Sequence, residues 1–330
     1  MFDKQLLLRV ENLNIAIQEN RKLLPVVRDL SFDLYTHETL GIVGESGSGK
    51  SLTAMAIMGL LAGTQIRVTS GRVCFNGVDL LQQSNAQRRA IMGSSMAMIF
   101  QEPMTSLNPV YRIGDQIIET IKQHKPISKK SARSRALELL DMVNIPDASY
   151  RIDHYPHQLS GGQRQRVMIA MALACDPNLL IADEPTTALD VTVQKEVLDL
   201  IANLQRTTGT AIILISHDLG VIAQNCDSVA VMYCGEIVES STTKKLFDRL
   251  GHPYTRGLID SIPPLNNDIE WLNAIPGQVP PINTLHTGCP FKPRCHHAQD
   301  VCKQIPPVTM LDHEHSVRCH FASRMHGNNS

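Results

Sequence analysis

Short apolar runs recur along the chain without the alternation of apolar and polar residues that marks a half-buried strand. The clearest are Thr39–Val43, Leu179–Ala182 and Thr210–Ser216. Runs of this length indicate strands covered on both faces, as in parallel sheets. Strand and turn signals alternate from Leu6 to Phe100, and strand and helix signals alternate from Ile169 to Ser240. These patterns predict one α/β core with a parallel sheet and crossover connections.

The stretch between these two parts of the core has a different period. Ile113–Ile121 and Ala132–Leu140 carry apolar residues at helical spacing. This period predicts an inserted helical segment with an amphipathic face that packs on another surface. In the second helix the apolar face comprises Ala132, Ala136, Leu139, Leu140 and Val143.

Composition excludes several classes of protein. The chain has 330 residues and a formal net charge of −1 with scattered basic residues, which argues against a nucleic-acid-binding surface. None of its apolar runs is long enough to span a membrane, and Met1–Arg9 lacks the apolar core and cleavage site of a signal peptide. We therefore expect a cytosolic protein that would reach a membrane only through a partner.

A phosphate-binding loop follows the first buried strand. Strand, glycine-rich loop and helix occur in the order that such a loop requires, which makes a chance match in a linker a poor explanation. Glycines let successive backbone N–H groups face phosphate oxygens, while a lysine reaches the terminal phosphates and a serine hydroxyl ligates Mg²⁺. The loop comprises Gly44, Glu45, Ser46, Gly47, Ser48, Gly49, Lys50 and Ser51.

Two later strands end in side chains suited to nucleotide hydrolysis. Leu179–Ala182 leads into Asp183, suited to hold Mg²⁺, and Glu184, suited to accept a proton from the attacking water. Taken alone, this acidic pair fits a solvated loop equally well. Thr210–Ser216 leads into His217, which is placed to orient the γ-phosphate and the water.

With these motifs the chain resembles the ATP-binding subunits of ABC transporters. Leu159-Ser160-Gly161-Gly162-Gln163 matches the family's signature motif, and Ala188-Leu189-Asp190 matches its D-loop. The resemblance implies that Gln101 is the Q-loop glutamine at the Mg²⁺ and the reacting water, and that His217 is the switch histidine. It also implies a P-loop NTPase fold, ATP and Mg²⁺ as ligands, and a dimer in which each signature motif (Ser160, Gly161, Gly162, Gln163) closes on the partner's nucleotide.

Other segments are similar to one branch of this family, the oligopeptide, dipeptide and nickel importers. They are Gln101–Pro109, His252–Thr255 and Ile275–Gly277. The resemblance implies two membrane permeases, a second ATP-binding subunit that is a different or an identical chain, and an extracytoplasmic solute-binding protein. It places the chain at the cytoplasmic face of the inner membrane as a peripheral subunit. Di- or oligopeptides are the leading cargo, with nickel, metallophores or glutathione as alternatives.

The resemblance covers about residues 1–250, and it sets the expected domains. We expect an ATP-binding domain over 1–250, with a helical subdomain at about 102–165 that docks the permeases, and a loop-rich extension over 251–330. Ten prolines after Leu246 support the last boundary, because they break any long helix. One departure concerns the family's adenine-stacking aromatic residue, since Ile17 occupies its position and leaves the adenine platform unassigned.

Four cysteines lie close together in this extension. Between them stand five, six and sixteen residues, and the segment has too little apolar surface to order itself easily. A cytosolic location disfavours disulfides, so we expect a metal centre, a four-iron four-sulfur cluster, with zinc or no metal as the alternatives. The cysteines are Cys289, Cys295, Cys302 and Cys319.

Eight histidines follow Gly251, and without a clean ligand spacing we interpret them as solvated loop residues, with a regulatory metal site as the alternative. A soluble ABC ATPase acting on nucleic acid or ribosomes is the alternative from another functional class. Such proteins usually carry two cassettes or a long coiled-coil insertion, and neither is evident in this sequence.

Overall fold

A computed structural model of the chain describes residues 4–101, 106–187, 189–262, 275–281 and 288–322. The described residues group by their contacts into two compact units. The helical unit takes the described parts of Met1–Leu6, Tyr35–Glu38 and Leu80–Ile215. The second unit, called the loop unit because it contains the phosphate-binding loop, comprises the described parts of Leu7–Leu34, Thr39–Asp79 and Ser216–Ser330.

Strands and helices both occur throughout the described residues, as an α/β chain requires. The strands are β1 Leu6–Glu19, β2 Lys22–Tyr35, β3 Thr39–Val43, β4 Ile66–Phe75, β5 Val78–Asp79, β6 Met96–Ile99, β7 Leu179–Asp183, β8 Ala211–Ser216, β9 Ser228–Tyr233, β10 Glu236–Thr242, β11 Val308–Asp312 and β12 His315–Arg318. The α-helices are α1 Lys50–Ile57, α2 Asn85–Ile91, α3 Ile113–His124, α4 Lys129–Met142, α5 Ala148–Arg151, α6 Gly161–Ala172, α7 Val191–Thr208, α8 Leu219–Asn225, α9 Thr243–Asp248 and α10 Pro253–Asp260.

In the helical unit, β6, β7 and β8 are parallel neighbours. Every residue of β7 is buried, which explains why its sequence is a continuous apolar run up to Asp183. Helices α3, α4 and α6 pack on one another. The predicted apolar face of α4 is confirmed, because all five of its residues are fully buried: Ala132, Ala136, Leu139, Leu140 and Val143.

In the loop unit, β3 pairs in parallel with β9, and β9 is followed outward by β10, β12 and β11 in antiparallel pairs. A second sheet has the order β2-β1-β4-β5. The Asn76-Gly77 turn joins β4 to β5, and both residues have positive φ, as a tight hairpin requires.

The expected parallel sheet is therefore only part of the architecture. The first third of the chain was expected to contribute short strands to it, but β1 and β2 are 14-residue strands, and β1 pairs antiparallel with β4. The extension after residue 250 is rich in turns, as expected. It nevertheless contributes β11 and β12 to a sheet, which its proline content did not predict.

Candidate nucleotide-binding and hydrolytic residues

The phosphate loop lies between β3 and α1, in the loop unit. Gly49 caps α1 with a φ of 99°, a conformation that glycine adopts without steric cost. Gly44 lies close to the next strand, since a Cβ there would stand 2.2 Å from the carbonyl oxygen of Met232. Glycine is thus needed at one end of the loop for its φ angle and at the other for close packing.

Lys50 is the cation of this loop. Its side chain is buried, and Nζ donates hydrogen bonds to the carbonyl oxygens of Gly44, at 2.7 Å, and Glu45, at 3.0 Å. The ammonium is therefore held over the concave side of the loop, where phosphate oxygens would compete for the same protons. Ser51, the predicted Mg²⁺ ligand, is the second residue of α1.

Glu45 has two partners in the C-terminal extension that the sequence analysis missed. Its backbone N–H donates to the Tyr254 hydroxyl at 2.9 Å. Its carboxylate accepts two hydrogen bonds from Arg294, at 2.8 and 3.1 Å. Tyr254 lies in a segment that marked the importer branch, and Arg294 directly precedes a predicted metal ligand, but neither position indicated a contact with the phosphate loop.

Strand register brings two predicted catalytic residues together in the helical unit. Ile99 of β6 pairs with Ala182 of β7 in parallel. Two residues further along each strand, Gln101 and Glu184 meet, and Gln101 Nε2 donates a 3.1 Å hydrogen bond to Glu184 Oε2. The carboxyl ends of parallel strands are where α/β proteins bind ligands, so the register alone accounts for this pair.

Glu184 is also held by its own loop. It has a φ of 44°, which is uncommon for a residue with a side chain, and its N–H donates to the carbonyl oxygen of Ile215 at 3.0 Å. Thr187 Oγ1 donates to Glu184 Oε2 at 3.0 Å, a contact that the sequence analysis did not foresee. Asp183, just before it, is 4% exposed. Left-handed backbone at a non-glycine residue is typical of functional sites, where surrounding contacts maintain it.

The signature motif begins helix α6. Ser160 Oγ accepts from Gln163 N–H, and Gln163 Oε1 accepts from Ser160 N–H, which forms a capping box. Gly162 lies against α7, since a Cβ there would stand 2.7 Å from Val193 Cγ1. At Gly161 the nearest atom to such a Cβ is Leu189 Cδ2 at 3.8 Å, an ordinary contact. The two glycines therefore differ in their structural constraints.

The remaining predicted residues occupy helix or strand ends. Asp190 caps α7, because its carboxylate accepts from Val193 N–H at 2.9 Å. His217 directly follows β8 and is exposed. Asp218, beside it, caps α8 through Gly220 N–H at 2.7 Å. Ala188 of the predicted D-loop lies outside the described residues.

Comparison with known proteins agrees with this arrangement. The family model described as "ABC transporter" matches residues 27–187, and the model described as "oligopeptide/dipeptide transporter, C-terminal region" matches residues 238–302. The dipeptide transport ATP-binding protein DppD of Bacillus subtilis is 48% identical over 94% of this chain and 93% of its own length. The oligopeptide transport ATP-binding protein OppD of Haemophilus influenzae is also 48% identical, over 95% of this chain and 96% of its own.

The chain belongs to the ABC transporter ATP-binding proteins. Its relatives place it in the oligopeptide/dipeptide branch, as the sequence motifs predicted. Among solved structures, the ATP-binding cassette MJ0796, in a dimer bound to ADP and Pi, superposes with a TM-score of 0.64 at 25% identity, over 72% of this chain and 98% of that one. CbiO1 of Clostridium perfringens gives a TM-score of 0.62 at 26% identity, over 74% of this chain and 91% of that one. The P-loop NTPase fold and the ATPase class are thereby confirmed.

No described helix of this ABC ATPase combines the length and apolarity needed to cross a membrane. At the position of the family's adenine-stacking residue, Ile17 lies in β1, partly buried and paired with Ile66 of β4. Both residues are aliphatic, so neither supplies a ring for stacking. The adenine platform therefore stays unassigned.

The four tail cysteines of the ABC ATPase carry free thiols, and Cys289 N–H donates to the carbonyl oxygen of Cys302 at 3.0 Å. Burial raises the pKa of Cys289 to about 12, and the other three sulfurs add to the rise. Phe321 N–H donates to Cys319 Sγ at 3.4 Å. Yet within the described part of the chain no three Cys, His, Asp or Glu side chains are arranged to hold a metal ion. The geometry thus gives no support to zinc or an iron–sulfur cluster, and both stay predictions from the sequence.

The interpretation of the tail histidines as solvated is wrong for two of them. His315 is buried, and its Nε2 lies 2.8 Å from Oε1 of the fully buried Glu239. His252 is 2% exposed, and its Nδ1 accepts from Tyr254 N–H at 3.0 Å. Their proline-rich context concealed the burial, because β12 and α10 pack these side chains against β10.

Proposed function

We propose that this ABC ATPase is the energy-coupling subunit of an importer for di- or oligopeptides. The proposed cargo rests on residues 238–302, because they match a C-terminal region named for oligopeptide and dipeptide transporters. Two relatives that are 48% identical over almost their full lengths are named as dipeptide and oligopeptide transport proteins. The alternatives of nickel, metallophore or glutathione cargo, and of a soluble ATPase acting on nucleic acid or ribosomes, have no comparable support.

The proposed roles of the phosphate loop follow from its geometry. The backbone N–H groups of residues 44–51 bind phosphate oxygens, while Lys50 exchanges its contacts with Gly44 and Glu45 for the terminal phosphates. Ser51 and Asp183 offer a hydroxyl and a carboxylate, and Gln101 an amide oxygen. Such hard oxygen ligands suit Mg²⁺, which neutralises charge on the transferred phosphoryl group.

Glu184 is the proposed general base. Gln101 and Thr187 both donate to its Oε2, and these two hydrogen bonds orient the carboxylate. An ionised carboxylate accepts a proton from water as the water attacks the γ-phosphate. We propose that His217 orients that phosphate and that Ser160, Gly161, Gly162 and Gln163 bind the nucleotide of a partner subunit, with Asp190 at the dimer contact.

The proposed partners follow from the same family. Two membrane permeases hold the subunit at the cytoplasmic face of the inner membrane, and a second ATP-binding subunit completes the dimer. A solute-binding protein delivers cargo from outside without contacting this chain. Residues 1–250 form the proposed ATP-binding domain, with its helical subdomain at about 102–165 docking the permeases, and 251–330 form the extension.

The four tail cysteines are proposed to hold an iron–sulfur cluster, with zinc as the alternative. The support is their spacing in the sequence and the proximity of two of them, since Cys289 N–H donates to the carbonyl oxygen of Cys302 at 3.0 Å. Cys302 and Cys319 are buried, and Phe321 N–H reaches one of the sulfurs, as hydrogen bonds do at cluster thiolates. The proposed role is to order the extension, and no step of ATP hydrolysis depends on it.

Reconstitution tests the cargo and the importer role together. The chain would be placed in proteoliposomes with the permeases, second ATPase and solute-binding protein encoded beside it. We expect ATP-dependent uptake of a labelled dipeptide, which Glu184→Gln abolishes. Uptake of Ni²⁺ or glutathione without peptide uptake would overturn the peptide assignment. ATP hydrolysis stimulated by RNA or ribosomes, but not by the permeases, would overturn the importer role.

A further inference from the structure

The C-terminal extension holds one residue of the phosphate loop at both its backbone and its side chain. Glu45 N–H donates to the Tyr254 hydroxyl, and the Glu45 carboxylate pairs with Arg294 through two hydrogen bonds. All three residues belong to the loop unit. A bidentate guanidinium–carboxylate pair is among the stronger and more directional contacts that side chains make.

Arg294 is itself fixed in place. It is 7% exposed, and its Nε donates to the carbonyl oxygen of Pro276 at 2.9 Å. Its guanidinium carbon lies 5.8 Å from the centre of the Tyr233 ring, within the range of a cation–π contact. The guanidinium is therefore buried and is fixed by contacts with both the extension and β9.

A cluster of aromatic rings supports this arrangement. Phe291 packs edge-on against Tyr233, with ring centres 5.3 Å apart, and Tyr233 lies 4.6 Å from Tyr254. Phe291 also begins the short helical turn that contains Arg294. Any rearrangement of this turn would move the guanidinium relative to the phosphate loop, because the rings couple the turn to β9.

The position of Glu45 makes its pairing matter for nucleotide binding. The residue stands inside a loop built to bind a polyanion, and Lys50, the loop's cation, donates to its carbonyl oxygen. An unpaired carboxylate here would repel phosphates and compete for Lys50. The bond to Arg294 both neutralises the carboxylate and turns it toward the extension.

We propose that Arg294 is a positioning residue of the phosphate loop, through which the C-terminal extension sets the affinity of this ATPase for MgATP. Arg294 acts through Glu45 and touches no reacting atom. A change that shifts the extension, such as docking of a partner or a change at the neighbouring Cys295, would therefore alter nucleotide affinity without altering the hydrolytic residues.

Binding of Mg²⁺ and a non-hydrolysable ATP analogue, measured by calorimetry on the full chain, tests the proposal. We expect Arg294→Gln to raise Kd about tenfold, since removing the buried guanidinium leaves the partly exposed Glu45 carboxylate uncompensated beside the bound phosphates. In the ATPase assay KM should rise similarly, while kcat at saturating MgATP stays within about twofold. Arg294→Lys keeps the charge but loses the bidentate geometry, so its Kd should lie between those of Arg294→Gln and the unaltered chain.

Two further variants separate positioning from a general structural role. Adding Glu45→Gln to Arg294→Gln should return Kd to within about threefold of the original value, because the repelling carboxylate is gone. Arg318→Gln is the matched control, since Arg318 belongs to the same extension, pairs with Asp29 and makes no hydrogen bond to the phosphate loop among the described residues. Its Kd should be unchanged.

The proposal is overturned if folded Arg294→Gln binds the analogue normally, or if Glu45→Gln fails to restore binding in the double variant. It is also overturned if Arg318→Gln weakens binding as much as Arg294→Gln does. Should Arg294→Gln not fold, Glu45→Asp replaces it, since the shorter carboxylate cannot reach both guanidinium nitrogens. An unchanged Kd for Glu45→Asp would then reject the proposal.

Discussion

Gln101 Nε2 donates a 3.1 Å hydrogen bond to Glu184 Oε2, and this bond joins the ends of two neighbouring parallel strands. The residues lie 83 positions apart in sequence, yet each is the second residue beyond a paired position of β6 and β7. Displacement of Gln101 would therefore remove this hydrogen bond from the proposed base. The position of Gln101 would thus affect the rate of hydrolysis through the orientation of Glu184.

Glu184→Gln should lower the rate of ATP hydrolysis by about 10²- to 10⁴-fold, because it removes the general base while keeping the side-chain shape. The amide oxygen can still accept from Thr187 and Gln101, so nucleotide binding should be retained. Steady-state hydrolysis and analogue binding measured on the same preparation check both parts. Near-normal turnover would remove Glu184 from the role of base.

Lys50→Ala should weaken MgATP binding and abolish peptide uptake, because no other side chain of the loop supplies a positive charge to the phosphates. The variant also loses the hydrogen bonds to Gly44 and Glu45. A thermal melt without nucleotide shows whether the loop still folds. If the folded variant hydrolyses ATP at the original rate, the nucleotide binds elsewhere.

Gly161→Ala and Gly162→Ala should have different effects. At Gly162 the added methyl group overlaps Val193, so we expect a loss of stability of about 1–3 kcal/mol in chemical denaturation. At Gly161 the methyl group has room, so stability should hold while ATP-dependent dimer formation and hydrolysis fall. Equal loss of stability in both variants, or normal hydrolysis by Gly161→Ala, would contradict this assignment of the signature motif.

Stability should depend on pH through His252. Burial lowers its pKa from 6.5 to about 4, partly opposed by Glu239, so the folded protein binds fewer protons than the unfolded chain between these values. The contribution of neutral His252 to the free energy of unfolding is therefore at its maximum above pH 6.5. It falls by up to about 3 kcal/mol as the pH drops toward 4. His252→Asn keeps an acceptor for Tyr254 N–H but does not titrate.

Urea denaturation of both proteins across this pH range isolates the contribution of His252, because other groups titrate equally in both. We expect the difference in unfolding free energy between them to shrink steadily as the pH is lowered. A difference that stays constant from pH 7 to pH 4 would show that His252 is not buried as a neutral ring.

The tail cysteines should bind metal in protein prepared without oxygen or chelators. A four-iron four-sulfur cluster predicts brown protein with iron and acid-labile sulfide, whereas zinc predicts colourless protein with one Zn²⁺. Cys295→Ser should reduce metal content and destabilise the extension, while Cys74→Ser, a partly exposed thiol outside the extension, should do neither. Finding neither metal in the folded chain would reject the prediction.

The places of the proposed nucleotide-binding residues at strand and helix ends could be predicted because each depends on a short, local pattern. A glycine-rich turn between strand and helix specifies Lys50 and Ser51, and an apolar run ending in two acids specifies Asp183 and Glu184. The contact between Gln101 and Glu184 could not be predicted from a motif, because it depends on the register of β6 and β7.

Contacts of the extension could not be predicted in the same way. Arg294 and Tyr254 reach Glu45 across more than 200 positions, and proline-rich sequence carries no period that reveals burial. Likewise, His315 meets Glu239 only because β12 pairs with β10, and isolated short strands give too little pattern to predict that pairing. The antiparallel sheet of β1, β2 and β4 was missed because its strands alternate weakly between the two faces.

The pairing of β12 with β10 has a consequence for the chain as a whole. Without the residues that follow position 250, β10 would lose β12 and present unpaired backbone N–H and C=O groups along one side. Bare strand edges recruit strands from other molecules, and here Glu239 would lose its bonds to Gly251, His252 and His315 as well. A truncated ATP-binding cassette should therefore self-associate even though all of its phosphate-loop residues are present, so the extension also protects the protein from aggregation.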